Sequence, residues 1–420
     1  MRFKGREFKF DYKGFYVDMM KIDSIVIRSP NKKAAKGDTK TADFALTNKG
    51  KVSEGRLYIN DPKNKSGRKK KPNYPSFDSK SGANVYFGKQ DVLGGAYDST
   101  MVFDIPPFKL DSLNGIGKTA SGFDGTFRSG GILPDIKTKL TTQPDGSLGF
   151  TYDIPKEGFP LYKGRGRATG KVKLDGKGLQ IDGKVTYGSG TFDSDQFVFY
   201  RDSVVAIGKT GSIAAKTGPG VDIPKMSLPA GYAMNWNVRQ DSMYLTTPAS
   251  GEAVKLYENP AAKTAYTFKG TALLTSKGAG GSGRLDGPQS FIKSPDMTFK
   301  NDSYSGKQAT LAIKSAEANK PALTASNVTF DYDMKKGEAD FHGEEGSRSS
   351  IDLPYSQFKT SLSGGRWDFK KKRVELKRAS AADSSSAYFY STNPNQEGLK
   401  FKAATGVYDL AKYRLEASGV

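Results

Sequence analysis

A search of this chain for chemistry begins at its one histidine, His342, because a Ser/His/Asp triad would have to use it as base. His342 stands just past an expected strand, beside Glu344 and Glu345. A lone histidine in a chain with no cysteine cannot close a structural zinc site. It is read as an ordinary strand-end or surface side chain. The absence of cysteine also excludes disulfides, thiolate metal centres and cysteine nucleophiles. Asp193 and Asp195 share a face if they lie on a strand, and such a pair could serve a glycosidase. With Ser194 they could offer oxygen to calcium, but no full calcium-loop pattern surrounds them. Glu344 and Glu345 are adjacent, so a strand would point them to opposite faces. Gly117-Lys118-Thr119 and Gly208-Lys209-Thr210 end like phosphate loops, yet Ser112 and Ser203 stand where the upstream glycine is required. Gly164 to Gly170 is spaced one residue too long for a dinucleotide loop, and no helix is expected after it. The chain is therefore read as non-enzymatic, with no catalytic residue, cofactor or metal. A β-sandwich carbohydrate-active enzyme is the minor alternative.

Two basic clusters could bind anions. Arg68-Lys69-Lys70-Lys71, followed by Tyr74 and Phe77, lies in a polar, proline-flanked stretch and reads as a solvated loop tip. Arg366, Lys370, Lys371, Lys372, Arg373, Lys377 and Arg378 alternate with Trp367, Phe369, Val374 and Leu376. That pattern suits an amphiphile, with tails on the apolar face and anionic headgroups at its polar edge. A formal net charge of +21 favours polyanionic partners generally. No nucleic-acid fold motif accompanies it, so nucleic acid is not expected.

The elements that must carry these residues are strands. Period-2 alternation dominates, as in Phe8-Lys9-Phe10-Asp11-Tyr12 and Phe197-Val198-Phe199, and Gly, Asn, Asp and Pro interrupt it at short intervals. The pattern predicts an all-β chain: an elongated repeat array of antiparallel hairpins, a slab, jellyroll or trough, with essentially no helix. Residues 60–82 read as a loop and residues 205–230 as a linker or long surface loop. No segment approaches the roughly 18 apolar residues of a membrane-spanning helix. No apolar stretch follows Met1, so a signal peptide is not expected in this chain, which reads as a fragment of a longer polypeptide.

Two repeats organise the array. Gly170, Gly178, Gly183, Ser194, Phe199, Asp202 and Ser203 recur 100 residues later as Gly270, Gly278, Gly283, Ser294, Phe299, Asp302 and Ser303. They predict two copies of one β unit, with glycine at turns or bulges and phenylalanine on the buried face. In the last hundred residues, aromatic-Asp-apolar triplets precede charged turns. Tyr332-Asp333-Met334 leads to Ala339 and Phe341, Trp367-Asp368-Phe369 to Val374 and Leu376, and Tyr408-Asp409-Leu410 to Leu415 and Ala417. Each predicts a hairpin with one apolar face and an Asp that accepts turn N–H groups. Tyr152-Asp153-Ile154, leading to Phe159 and Leu161, is a weaker fourth instance. The expected domains are 1–112, with the basic loop 60–82; 113–230 and 231–325, the two repeat units; and 326–420, the hairpin repeats. The one-faced hairpins either close as a sandwich or leave an apolar trough.

The hairpins of 326–420 resemble the OstA-like (LptA/LptC) β-jellyroll family. This resemblance implies lipopolysaccharide transport across the bacterial periplasm in an apolar groove. Other stretches resemble a group of very large, uncharacterised cell-envelope proteins of Bacteroidetes: Leu57-Tyr58-Ile59-Asn60-Asp61, Gly125 to Asp135, Gly146 to Phe150 and Tyr390 to Pro394. That implies export to the periplasm or envelope as part of a longer chain, and no reaction. The expected function is binding or conduction of an anionic lipid such as lipopolysaccharide, with other envelope proteins as further partners. The lipid-facing candidates are Tyr332, Met334, Phe341, Trp367, Phe369, Val374, Leu376, Tyr408, Leu410 and Leu415. The second basic cluster supplies the headgroup candidates. A structural or adhesive envelope scaffold without a lipid is the alternative.

Overall fold

A computed structural model describes residues 2–29, 42–46, 53–89, 92–113, 122–261, 263–317, 319–343, 349–378 and 387–419. Among them the chain is all-β. Helical geometry is confined to 3-10 turns of at most four residues, and the strand ladders are antiparallel. No helix is long and apolar enough to cross a membrane. Two compact units form, Met1–Val185 with Ser194–Val205, and Thr186–Asp193 with Ala206–Val420.

In the first unit, Arg2–Asp11, Tyr16–Ser29, Ser53–Tyr58, Ser76–Ser79 and Phe108–Leu110 pair in that order. A second ladder begins with Ala83–Tyr86, Met101–Ile105, Phe123–Ser129 and Ile136–Thr142. Alternation puts one apolar face of each ladder inside: Phe87, Phe103, Phe127 and Phe150 form a buried aromatic cluster, and buried Phe77 packs against Phe3 and Phe108. The loop expected over 60–82 is shorter than expected, because Phe77 is buried and draws Ser76–Ser79 into the first sheet.

The second unit is two facing sheets joined by long strands that pass from one into the other. In Thr264–Thr275, residues 264–268 pair with Val254–Asn259, while 271–275 pair with Ser242–Thr246. In Leu323–Asp333, residues 324–326 pair with Ser350–Leu353, while 328–333 pair with Glu338–Gly343. Between those halves the strands bend, and the line of bends crosses Gly270, Gly283, Ser294, Gln308 and Asn327. Gly270 and Gly283 are paired and have φ of 144° and 157°; Gln308 and Asn327 have φ of 48° and 56°. A Cβ at Gly270 would overlap the Ser282 carbonyl oxygen, and one at Gly283 the Lys269 carbonyl oxygen. Glycine is required because two backbones meet where the ladder creases. The Ser294 hydroxyl donates to Lys307 O (2.5 Å) and accepts from Asp296 N (3.1 Å), satisfying groups that the broken ladder frees.

The 100-residue repeat is a structural one. Gly166–Asp175, Gly178–Tyr187 and Gly190–Phe199 correspond to Thr264–Thr275, Ala279–Asp286 and Ser290–Phe299. Gly170 and Gly183, with φ of 113° and 145°, stand at the equivalent positions of the first copy, and Phe199 and Phe299 are both fully buried. Tyr200 N donates to Ser203 O and Lys300 N to Ser303 O, closing identical turns at 2.8 and 2.9 Å. Tyr162 and Tyr257 donate their hydroxyls to those same serine carbonyls, at 2.9 and 3.0 Å. Residues 205–230, expected as a linker or long surface loop, hold short paired strands including Thr210–Ile213 and Met226–Leu228. The strand Leu323–Asp333 runs across the expected boundary at 325/326.

Candidate functional site

The three C-terminal hairpins have the register that their patterns predict. Tyr332 lies opposite Ala339, Phe330 opposite Phe341, Trp367 opposite Val374, and Tyr408 opposite Leu415, so both arms turn apolar side chains to one face. Asp333 Oδ1 accepts from Lys335 N and Lys336 N (both 3.0 Å), Asp368 Oδ1 from Lys371 N (2.9 Å), and Asp409 Oδ1 from Ala411 N (2.8 Å) and Lys412 N (2.9 Å). These main-chain donors hold all three carboxyls below the ordinary aspartate pKa. Four residues after each Asp the backbone is left-handed: Gly337 (71°), Lys372 (48°) and Tyr413 (49°). The apolar residue after each Asp stitches its hairpin to the preceding turn. Met334 N donates to Asp302 O, Phe369 N to Gly337 O, and Leu410 N to Lys372 O, at 2.9 to 3.1 Å.

The opposing sheet of Ser350–Leu353, Phe358–Thr360, Tyr388–Ser391 and Lys400–Lys402 covers this face. Gly406 has no side chain, and the Phe389 ring of the facing sheet fills the space. Tyr355 and Tyr413 stack across the two sheets with ring centroids 4.0 Å apart. As a result Phe341, Trp367, Val374, Leu376 and Tyr408 are at most 1% exposed, and Tyr332 is buried. Met334, Phe369, Leu410 and Leu415 are half-buried. Phe369 lies on Trp367 (3.7 Å) and Tyr332 (4.6 Å) at the hairpin ends.

The basic cluster divides between two places. Alternation turns Arg366, Arg373 and Lys377 to the outer face, opposite the apolar interior. There Arg366 pairs with Asp340 (3.1 Å), Arg373 with Glu375 (2.7 Å), and Lys377 lies 3.9 Å from Asp340. Lys370, Lys371 and Lys372 form the exposed turn, where Lys371 pairs with Asp368 at 3.3 Å; Arg378 follows the strand Arg373–Lys377. His342 is exposed and lies across from Thr329 and Gly364. Glu344, Glu345 and Gly117-Lys118-Thr119 lie outside the described residues. Among the described residues no group of three His, Asp or Glu side chains is arranged to hold a metal ion.

The facing sheets part between Lys400–Lys402 and Arg414–Ser418. An open groove of about 510 Å³ lies there, lined by Phe358, Phe401, Leu415 and Ala417 together with Ser356, Lys412, Tyr413 and Arg414. Phe401 packs on Phe389 (5.5 Å) and Phe358 (5.7 Å), so the floor is continuous with the core. Arg414 also pairs with Glu416. Of the lipid-facing candidates, Leu415 alone lines this groove. Phe358 and Phe401 were missed, although Phe358-Lys359-Thr360 and Lys400-Phe401-Lys402 carry a visible alternation. No protein-family model matches the chain, and no curated protein or solved structure matches it.

Proposed function

We propose that this chain is a non-enzymatic β-repeat segment of an exported envelope protein and that it binds an anionic lipid at the parted end of its C-terminal sandwich. The observation that carries the reading is the open groove of about 510 Å³ in which four apolar side chains meet Lys412 and Arg414. Such a site offers an acyl chain an apolar wall and a headgroup the Lys412 ammonium, with Arg414 beside it held by Glu416. The hairpin resemblance to lipopolysaccharide-transport proteins supports the same ligand class. Titration with a fluorescent acyl probe tests it. Leu415→Asp and Phe401→Asp are expected to abolish saturable binding, and Lys412→Glu to weaken it. Equal binding by wild type and both Asp variants would remove the groove from consideration.

A second reading, a scaffold without a ligand, is favoured by the burial of Phe341, Trp367, Val374, Leu376 and Tyr408. On that reading the hairpins only close a core, and the wild-type chain takes up no probe.

A further inference from the structure

The hairpin of Arg2–Asp11 and Tyr16–Ser29 exposes aromatic rings that a folded core would bury. Phe8 is 40% exposed, Phe10 54% and Tyr12 67%. Phe10 packs edge-on against Tyr12 (6.4 Å) and Phe15 (6.1 Å), so the rings form one patch at the turn. Phe10 lies opposite Val17, and Val17 opposite Leu57, so the patch is the uncovered margin of an apolar sheet face.

The basic loop reaches this turn. Lys65 Nζ lies 4.1 Å from the Tyr12 ring centroid. The loop is tied down from within. Buried Asn64 donates to Lys69 O (2.6 Å) and accepts from Lys69 N (3.0 Å), and Lys71 pairs with Asp61 (2.8 Å). Arg68, Lys69 and Lys70 therefore project from a fixed frame, all exposed. The nearby acids are used internally: Asp61 by Lys71, and Asp11 by Gly14 N (2.6 Å) and Tyr16. Lys13, Lys65, Arg68, Lys69 and Lys70 make no ion pair among the described residues.

We infer that this hairpin turn and its loop form a docking surface for an anionic lipid bilayer, with the rings entering the headgroup layer and the unpaired cations meeting lipid phosphates. Aromatic rings favour that interface because one side of it is apolar and the other wet. Clustered lysine and arginine add electrostatic attraction to acidic headgroups. The charge complementarity selects an acidic bilayer over a neutral one, and the exposed rings select a bilayer over a soluble polyanion. This site is separate from the C-terminal groove and does not depend on it.

Sedimentation with vesicles tests the inference, using phosphatidylcholine alone and phosphatidylcholine mixed with phosphatidylglycerol. The wild-type chain is expected to pellet only with the acidic vesicles. Phe10→Ser with Tyr12→Ser should lower partitioning roughly tenfold or more, from the apolar area no longer buried. Arg68→Glu, Lys69→Glu and Lys70→Glu together should lower it about a hundredfold. Val407→Ala, on the outer face of Thr405–Asp409, should leave it unchanged. Either of two results overturns the inference: a wild-type chain that stays in the supernatant, or an aromatic double variant that sediments like wild type while charge reversal abolishes binding. The second would assign the patch to soluble polyanions.

Discussion

Gly270→Ala tests the crease on which the second unit is built. Gly270 has φ of 144°, and a Cβ there would overlap the Ser282 carbonyl oxygen across the Gly270–Gly283 pair. A side chain held in a glycine-only backbone region costs about 1–3 kcal/mol. Relieving the overlap by shifting packed backbone costs about 1–3 kcal/mol more. The expected destabilisation is thus about 2–6 kcal/mol. Gly278 is the control, because it belongs to the same sequence repeat, has no left-handed φ, and has nothing within 4 Å of an added Cβ. Gly278→Ala should change stability by no more than about 0.5 kcal/mol. Urea denaturation followed by tryptophan fluorescence reads both variants, since Trp236 and Trp367 are buried and lie in the second unit. A Gly270→Ala midpoint indistinguishable from that of Gly278→Ala would refute the crease argument.

Three further outcomes follow from the hairpins. Lys372→Gly should stabilise the chain by about 1 kcal/mol in urea denaturation, because Lys372 sits at φ 48° where the equivalent residue is Gly337. Leu376→Ala should cost about 2–5 kcal/mol by the same assay, whereas Val407→Ala, on the outer face of the neighbouring strand, should cost no more than about 0.5 kcal/mol. Asp333, Asp368 and Asp409 have folded pKa values lowered by turn N–H donors, so their contribution is complete above the unfolded aspartate value of about 4 and is lost as pH falls through the lowered values. The triple Asp→Asn variant should melt earlier than wild type at neutral pH, and thermal melts should converge in strong acid.

The hairpins were legible because their information is local. Two-residue alternation sets the face, and the Asp before the turn meets N–H groups two or three residues on. The crease was half legible: a constant offset marked Gly170, Gly183, Gly270 and Gly283 as special. It did not reveal that strands change sheets there, since that depends on partners as distant as Val254 and Ser350. Tyr152-Asp153-Ile154 misled because its strands do not pair with each other. Leu148–Asp153 and Phe159–Leu161 both pair with Gly166–Asp175 instead. Tyr162 and Tyr257 escaped notice because they are 95 residues apart, off the repeat's register. Arg366, Arg373 and Lys377 were placed at the edge of the apolar face, yet their alternation with Trp367, Val374 and Leu376 already required the opposite one. The groove was illegible because it depends on where two sheets part, a property that no single strand carries.

Native mass spectrometry of the purified chain, with solvent extraction of whatever it carries, tests the lipid reading most directly. The wild-type chain is expected to carry a stoichiometric anionic lipid that is absent from folded Leu415→Asp. Lipid-free wild-type protein recovered from a lipid-rich host would contradict it.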